Sequence, residues 1–366
     1  MNRVPESHAP NVTSDASQAA DARAVAAVTA VTQGRADHDA SHGTGATPMR
    51  TQGWLARLRA ADIPWGWSFA GAILVWLFTV WMFGLSIAGN VVATALVFGI
   101  FMVLVGLGQM MVITAGPGNI DLSVPSAIAL SGVLSVQVMI GENGRLLAGL
   151  AVALGAGVLI GLANYLLIRV LRIPPIIATL SSSFIIQSIA ITQSRDMRPP
   201  PPALQHFATG RLLGIPHLAI LALIVSIAIA LLVHRTVFGR SLSAVGQNPR
   251  AARLAGVNVE ATRCKTYVMS AVIAALTGVL LSAVSGGAAL DMGVEYMLIS
   301  VAVVVIGGTQ VSGGKASVAG VWGAAMFLFL TNAILNAMGA DAGMRSVVYG
   351  LLIIAVVVAA GGREAR

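Results

Sequence analysis

Within the long apolar stretches of this 366-residue chain, one acidic side chain stands where it could do chemistry. It is Asp121, with Asn119 and Ser123 two residues to either side, on a stretch broken by Gly116, Pro117 and Gly118. An ionised carboxylate at the centre of a bilayer costs about 2.5–3.5 kcal/mol on insertion scales, so it must pair, protonate or line water. Two roles fit the pattern. Asn119, Asp121 and Ser123 line or shape the path of a polar solute, or Asp121 accepts backbone N–H bonds at the start of a helix beginning near Leu122. Gln109, Asn164, and the pair Asn332 and Asn336, four apart, add amides that can meet a solute or join helices to one another. No nucleophile stands beside a positioned histidine or acid within the apolar stretches, so no catalytic residue is expected. Cysteine and histidine nowhere take zinc spacing, and the single Cys264 cannot form an internal disulfide. His38 and His42 have the spacing of a helical metal pair, but their surroundings lack the residues that drive a helix, and no metal is expected there.

The elements that must position these groups are membrane helices. The chain is 57% apolar and 10% charged, with a mean hydropathy of +0.85, whereas a soluble domain carries about 25% charge. Forty glycines and fourteen prolines suit closely packed membrane helices. A crossing needs about 20 helical residues, and ten runs approach that: 69–88, 91–113, 124–140, 146–168, 176–192, 212–233, 266–286, 296–309, 317–337 and 345–361. The expectation is an all-α, polytopic membrane domain over 66–362. The Gly/Pro-broken stretches 114–126 and 307–316 should be kept from lipid, because only protein or a water-lined cavity can satisfy their freed backbone groups. Residues 1–50 contain no Leu and no aromatic, so 1–65 reads as a disordered cytoplasmic tail, and 363–366 as a cytoplasmic C-terminus. Prolines 199–202 should stiffen an outer loop over 195–211.

Charge sets the orientation. The net charge of +8 is distributed by membrane side, which removes nucleic acid as its explanation. With the N-terminus inside, fourteen of the Lys/Arg from Arg50 onward fall on the inner side and five on the outer, namely Arg145, Arg195, Arg198, Arg211 and Arg345. Both termini are therefore expected in the cytoplasm. Trp65 and Trp67 fit either interfacial anchors or buried packing aromatics. The inner loop 234–265 holds six positive residues and one acid, Glu260. It also contains the pattern of a two-turn helix: Asn248 as N-cap, Pro249 at the first helical position, helix formers from Arg250 through Ala255, and Gly256 to end it. A helix this short does not persist alone in water. It should dock Ala251, Leu254 or Ala255 into another protein's groove, unless the loop is simply held by anionic lipid.

These stretches resemble the permease subunits of ABC importers, specifically the ribose-type group that handles monosaccharides and related polar solutes, within the branched-chain amino acid and sugar permease superfamily. The resemblance covers about residues 90–360. Gly116-Pro117-Gly118-Asn119-Ile120-Asp121-Leu122-Ser123-Val124 is similar to the family's Gly-Gly-Ile-Asp-Leu-Ser-Val stretch. Phe238-Gly239-Arg240 with Val245-Gly246-Gln247-Asn248-Pro249-Arg250-Ala251-Ala252-Arg253-Leu254-Ala255-Gly256-Val257 is similar to its cytoplasmic loop. Val305-Ile306-Gly307-Gly308-Thr309 with Gly313-Gly314-Lys315 is the third match.

The resemblance implies that Gly246, Asn248, Pro249, Arg250, Ala251, Ala252, Arg253 and Gly256 contact a separate ATPase subunit. An acid often precedes the two alanines in that family, and here Arg250 stands in its place. Near the tyrosine matching Tyr296, where the family often has acids, this chain has Met297 and Ile299. The stretch from Gly308 to Lys315 does not form an ATP site of its own, since Thr309 occupies the required glycine position and Ala316 replaces the magnesium-holding Ser or Thr. No cofactor is expected on this chain, and ATP should be bound by the partner subunit. The implied partners are ABC ATPase subunits, a second permease copy, a periplasmic solute-binding protein and membrane lipid. The implied function is import of a monosaccharide or polyol across the bacterial inner membrane by alternating access. The alternatives are a branched-chain amino acid permease of the same class and an ion-coupled secondary carrier. The latter needs midmembrane ionisable groups, and only Asp121 is available.

Overall fold

A computed structural model describes residues 65–195, 197–341, 343–345, 347, 348, 350, 351 and 354. The expected tail 1–65, apart from Trp65, the pair His38 and His42, the end 363–366 and most of the tenth run, 345–361, lie outside the described residues. Over the remainder the expected all-α architecture is found. Seven described helical stretches are long and apolar enough to cross a membrane, and two shorter apolar helices accompany them.

The chain runs α1 (Gly66–Phe83), α2 (Leu85–Thr94), a π-helical turn (Ala95–Gly99) and α3 (Ile100–Thr114). It continues through α4 (Val124–Met139), α5 (Leu146–Val170) and α6 (Pro175–Gln193). A short helix α7 (Pro202–Thr209) and a two-residue hairpin, β1 (Arg211–Leu212) with β2 (Ile215–Pro216), lead into α8 (His217–Arg235). Then come α9 (Val237–Gln247), α10 (Pro249–Leu254), α11 (Val259–Val284), α12 (Tyr296–Ile306) and α13 (Val318–Ala337).

Three local expectations are corrected. The run 69–88 is divided at Gly84, whose φ of 83° ends α1 and begins α2. The proline run is extended only through Pro201, because Pro202 sits in the first turn of α7, where a missing N–H costs nothing. The run 212–233 starts as a hairpin whose turn places Leu213 and Gly214 at positive φ, and helix begins only at His217. Trp65 and Trp67 are exposed, which removes the buried-packing reading.

The core is built around α3, all fifteen of whose residues are buried. Helix α11 packs against α5, α4 and α3, and α12 and α13 close the other side of α3. Small residues permit this closeness. A side chain at Gly161 of α5 would lie 2.8 Å from the Tyr267 carbonyl of α11, and one at Gly157 would lie 2.9 Å from that of Ala271. One helical turn apart, these two glycines let α5 lie backbone to backbone on α11. The outer faces of α1, α5, α6 and α8 carry exposed Leu74, Trp81, Leu159, Phe184 and Ile224, as helices facing hydrocarbon should.

Candidate functional site

The broken link 115–123 between α3 and α4 does not face the surface at its acid. Asn119, Asp121 and Ser123 are 5%, 1% and 0% exposed, and Gln109 on α3 is 0% exposed. Asp121 Oδ1 accepts from the Ser123 backbone N–H at 2.9 Å and from the Ser123 hydroxyl at 2.6 Å. Ser123 Oγ in turn accepts from Asn164 Nδ2 of α5 at 2.7 Å, and Asn164 Oδ1 accepts from the Ser182 hydroxyl of α6. The Gln109 amide, with its nitrogen turned toward the Asp121 carbonyl, closes both backbone groups of Asp121 at 3.3 and 3.2 Å. Asn119 Nδ2 donates to the Gly116 carbonyl at 3.1 Å, and its Oδ1 accepts from the Tyr267 hydroxyl of α11 at 3.2 Å. Thr179 of α6 accepts from the Leu122 N–H at 3.0 Å.

This is a hydrogen-bonded knot tying the irregular link to α3, α5, α6 and α11. It satisfies backbone that the break would otherwise leave unpaired in an apolar interior. Among the described residues Asp121 Oδ2 has no hydrogen-bond partner, with the Ser270 hydroxyl of α11 beside the carboxyl. The capping alternative is corrected in detail. Helix α4 begins at Val124 with Ser123 in the N-cap position, and Asp121 accepts from Ser123 rather than from the first helical turn.

The six candidate pathway residues do not form one site. Gln109, Asn119, Asp121 and Ser123 meet in the knot. Asn332 and Asn336 lie near the end of α13, where both amide oxygens accept from Arg345 Nη1, at 3.3 and 2.7 Å. Sequence spacing placed that pair on one helix face but could not show that a cation folds back onto it from beyond the helix. The knot's other members, Thr179, Ser182, Tyr267 and Ser270, lie in ordinary helical runs with nothing local to set them apart. Only Asn164 carried a signal, as an amide inside an apolar span.

At the end of the bundle where α9 meets α11, the short helix expected from sequence is present as α10. Asn248 Oδ1 accepts from the Arg250 and Ala251 N–H groups at 3.0 and 3.1 Å. The other end closes with Gly256 N–H on the Arg253 carbonyl at 3.1 Å and Val257 N–H on the Ala252 carbonyl at 3.0 Å. Gly256 has φ 82°, the left-handed geometry that such a C-terminal motif requires. Ala252 turns inward onto Val245 and Val259. Arg250, Ala251, Arg253, Leu254, Ala255 and Gly256 are exposed, with Leu254 91% exposed. Pro249 occupies the first turn, half-buried, and Gly246 is buried at the end of α9.

The three stretches quoted from sequence, far apart along the chain, converge beside α10. The Gly314 N–H donates to the Thr114 carbonyl at 3.0 Å. A side chain at Gly246 would lie 2.8 Å from Gly314 Cα and closer still to the Thr114 carbonyl oxygen and the Gly314 nitrogen. One at Gly313 would lie 2.6 Å from Gly116 Cα and 3.0 Å from the Gly246 carbonyl oxygen. The end of α9, the start of the 115–123 link and the loop before α13 thus touch backbone to backbone at a glycine junction. The junction joins the root of α10 to the link that carries the knot.

A polytopic helical bundle, a broken membrane segment held by a buried polar knot, and a capped surface helix with an exposed leucine are the architecture of a multi-span membrane protein with a surface for a partner. A family model described as the permease component of branched-chain amino acid transport systems matches residues 90–357. The chain belongs to this family and is a permease subunit of the ABC-importer type. Among curated relatives, it is 33% identical to the galactofuranose transporter permease YtfT of Escherichia coli over 70% of this chain and 75% of that protein. It is 30% identical to the autoinducer 2 import system permease LsrD of Yersinia enterocolitica over 80% of this chain and 91% of that protein. It is 29% identical to the ribose import permease RbsC of Escherichia coli over 68% and 78%. No solved structure matches the chain.

Proposed function

We propose that this permease moves a small uncharged polyhydroxylated solute, a monosaccharide or polyol, inward across the bacterial inner membrane by alternating access. Power comes from ATP hydrolysed on separate ATPase subunits, with a second permease copy and a periplasmic solute-binding protein completing the assembly, both termini of the chain in the cytoplasm and the inner leaflet's lipid around it. The substrate class is supported by relatives named for ribose and galactofuranose import. It is also supported by the scarcity of fixed charge in the membrane domain, since amides and hydroxyls can replace a sugar's water without a counter-ion.

The observation that carries the mechanism is the glycine junction, which lies between α10 and the knot. An ATPase seated on Ala251, Leu254 and Ala255 would push on α10, and through Gly246 the push reaches Gly116, Asn119 and Asp121. In this reading the knot shapes the solute path by fixing the course of the 115–123 link, and helix bundles move as units around it. Asn332 and Asn336, held on Arg345, contribute to the path near the far end of α13.

The test is uptake into vesicles carrying the permease with its ATPase and binding-protein partners, using radiolabelled ribose, galactose, xylitol and leucine. ATP-dependent, vanadate-sensitive uptake of a sugar or polyol supports the proposal. Uptake of leucine alone would move the chain to the amino acid branch. Vanadate-insensitive uptake abolished by uncouplers, or accumulation by the permease alone, would replace ATP drive with ion coupling.

A further inference from the structure

Six residues of helix cannot hold their own direction, so whatever fixes α10 decides how a push on it is delivered. Its last turn carries Arg253, whose Nη2 donates to Glu260 Oε1 at 2.9 Å. Glu260 stands in the first turn of α11. Its other oxygen, Oε2, accepts from Arg169 Nε at 2.9 Å and from the Tyr165 hydroxyl at 3.1 Å. Tyr165 and Arg169 are one turn apart near the end of α5, on the helix that Gly157 and Gly161 bring against α11. One carboxylate therefore ties α10 to the α5–α11 pair with both of its oxygens engaged.

The side chains in these pairs are 66%, 54% and 33% exposed. Exposed ion pairs add little to stability, so the arrangement is poorly suited to bracing the fold. It is well suited to holding a small part at one angle through directional, charge-assisted bonds that can open and close.

We infer that Glu260 is a positioning residue, setting the angle of α10 against the α5–α11 pair so that force on α10 is delivered to the membrane helices rather than lost in a swivel. This rests on the reading of α10 as the ATPase contact, and the experiment separates the two. In full-length chain carrying Cys264→Ser and Leu254→Cys, a spin label at position 254 reports the motion of α10 in nanodiscs. Glu260→Gln cannot hold two guanidinium groups by charge and should raise the label's mobility before any ATPase is added. Arg253→Ala should do the same, and the double substitution should add nothing.

In unlabelled transporter, Glu260→Gln should lower ribose moved per ATP hydrolysed by about two- to tenfold, the range set by one or two exposed charge-assisted contacts, with insertion and ATPase binding unchanged. Unchanged mobility in Glu260→Gln overturns the inference, as do additive effects of the two substitutions. So does an equal fall in transport and hydrolysis. If the reading of α10 is what fails, the wild-type label will not be immobilised by added ATPase subunits. If ribose is the wrong sugar, wild-type uptake will be absent while the label still responds to Glu260→Gln.

Discussion

Gly246→Ala adds a single methyl at the glycine junction, and the structure sets its cost. The new carbon would lie 2.8 Å from Gly314 Cα and nearer still to the Thr114 carbonyl oxygen and the Gly314 nitrogen, all of them backbone atoms. Side chains can rotate away from an intruder, whereas these atoms belong to two backbone segments that hold one another. Overpacking a tight interior costs about 1–3 kcal/mol. Forcing the segments apart also breaks the Gly314 N–H to Thr114 carbonyl bond, a net loss of about 0.5–1.5 kcal/mol. The sum is about 1.5–4.5 kcal/mol, and at ~2–4 °C per kcal/mol for a domain of this size the apparent unfolding midpoint should fall by roughly 3–18 °C.

Gly256→Ala is the control. It meets no atom of the described residues within 4 Å, so its cost there is that of placing an alanine at φ 82°, about 1–2 kcal/mol. Thermal unfolding in detergent, followed by intrinsic tryptophan fluorescence, compares the two variants directly. A Gly246→Ala midpoint equal to wild type, or one no lower than that of Gly256→Ala, would refute the backbone contact of these three segments.

Further outcomes follow from individual contacts. Asn248→Ala removes the acceptor of two N–H groups at the start of α10 and should cost about 1 kcal/mol locally, read as faster amide exchange at Arg250 and Ala251 with the remaining helices unchanged. Ala252→Glu forces a charge between Val245 and Val259 and should abolish uptake while membrane insertion, followed by fractionation, stays intact. Asp121→Asn keeps an oxygen for Ser123 and should leave the stability within about 1 kcal/mol of wild type, whereas Asp121→Leu strands Ser123 and should cost about 1–3 kcal/mol. A thermal shift that ranks the two in the opposite order would count against the knot. Gly161→Leu should separate α5 from α11 and lower the yield of folded protein, measured by size-exclusion recovery.

The helices were largely legible because their signal is local. Apolar runs between polar punctuation give spans, and Asn248, Pro249 and Gly256 mark both ends of α10 by chemistry confined to their own residues. What could not be read was anything set by partners distant in the chain. Asp121 looked like a pathway acid because a charge in an apolar stretch is costly. The network that holds it runs through Gln109, Asn164 and Ser182, which lie on three helices. Asn332 and Asn336 share a helix face by their spacing alone, but the Arg345 that bonds both of them comes from beyond that helix and could not be read from it. Glu260 showed in sequence only as the lone acid of a basic loop. Its role as a link depends on Tyr165 and Arg169, about ninety residues earlier, being brought beside it by the glycine face of α5.

Helix α3 touches protein on every side, so its amide protons have no route to solvent while the bundle is assembled. Deuterium can enter Ile100–Thr114 only when neighbouring helices part. The rate at which those fifteen amides gain mass therefore clocks the opening of the whole domain, and a carrier that cycles between two shapes without loosening its axle would leave that clock almost stopped.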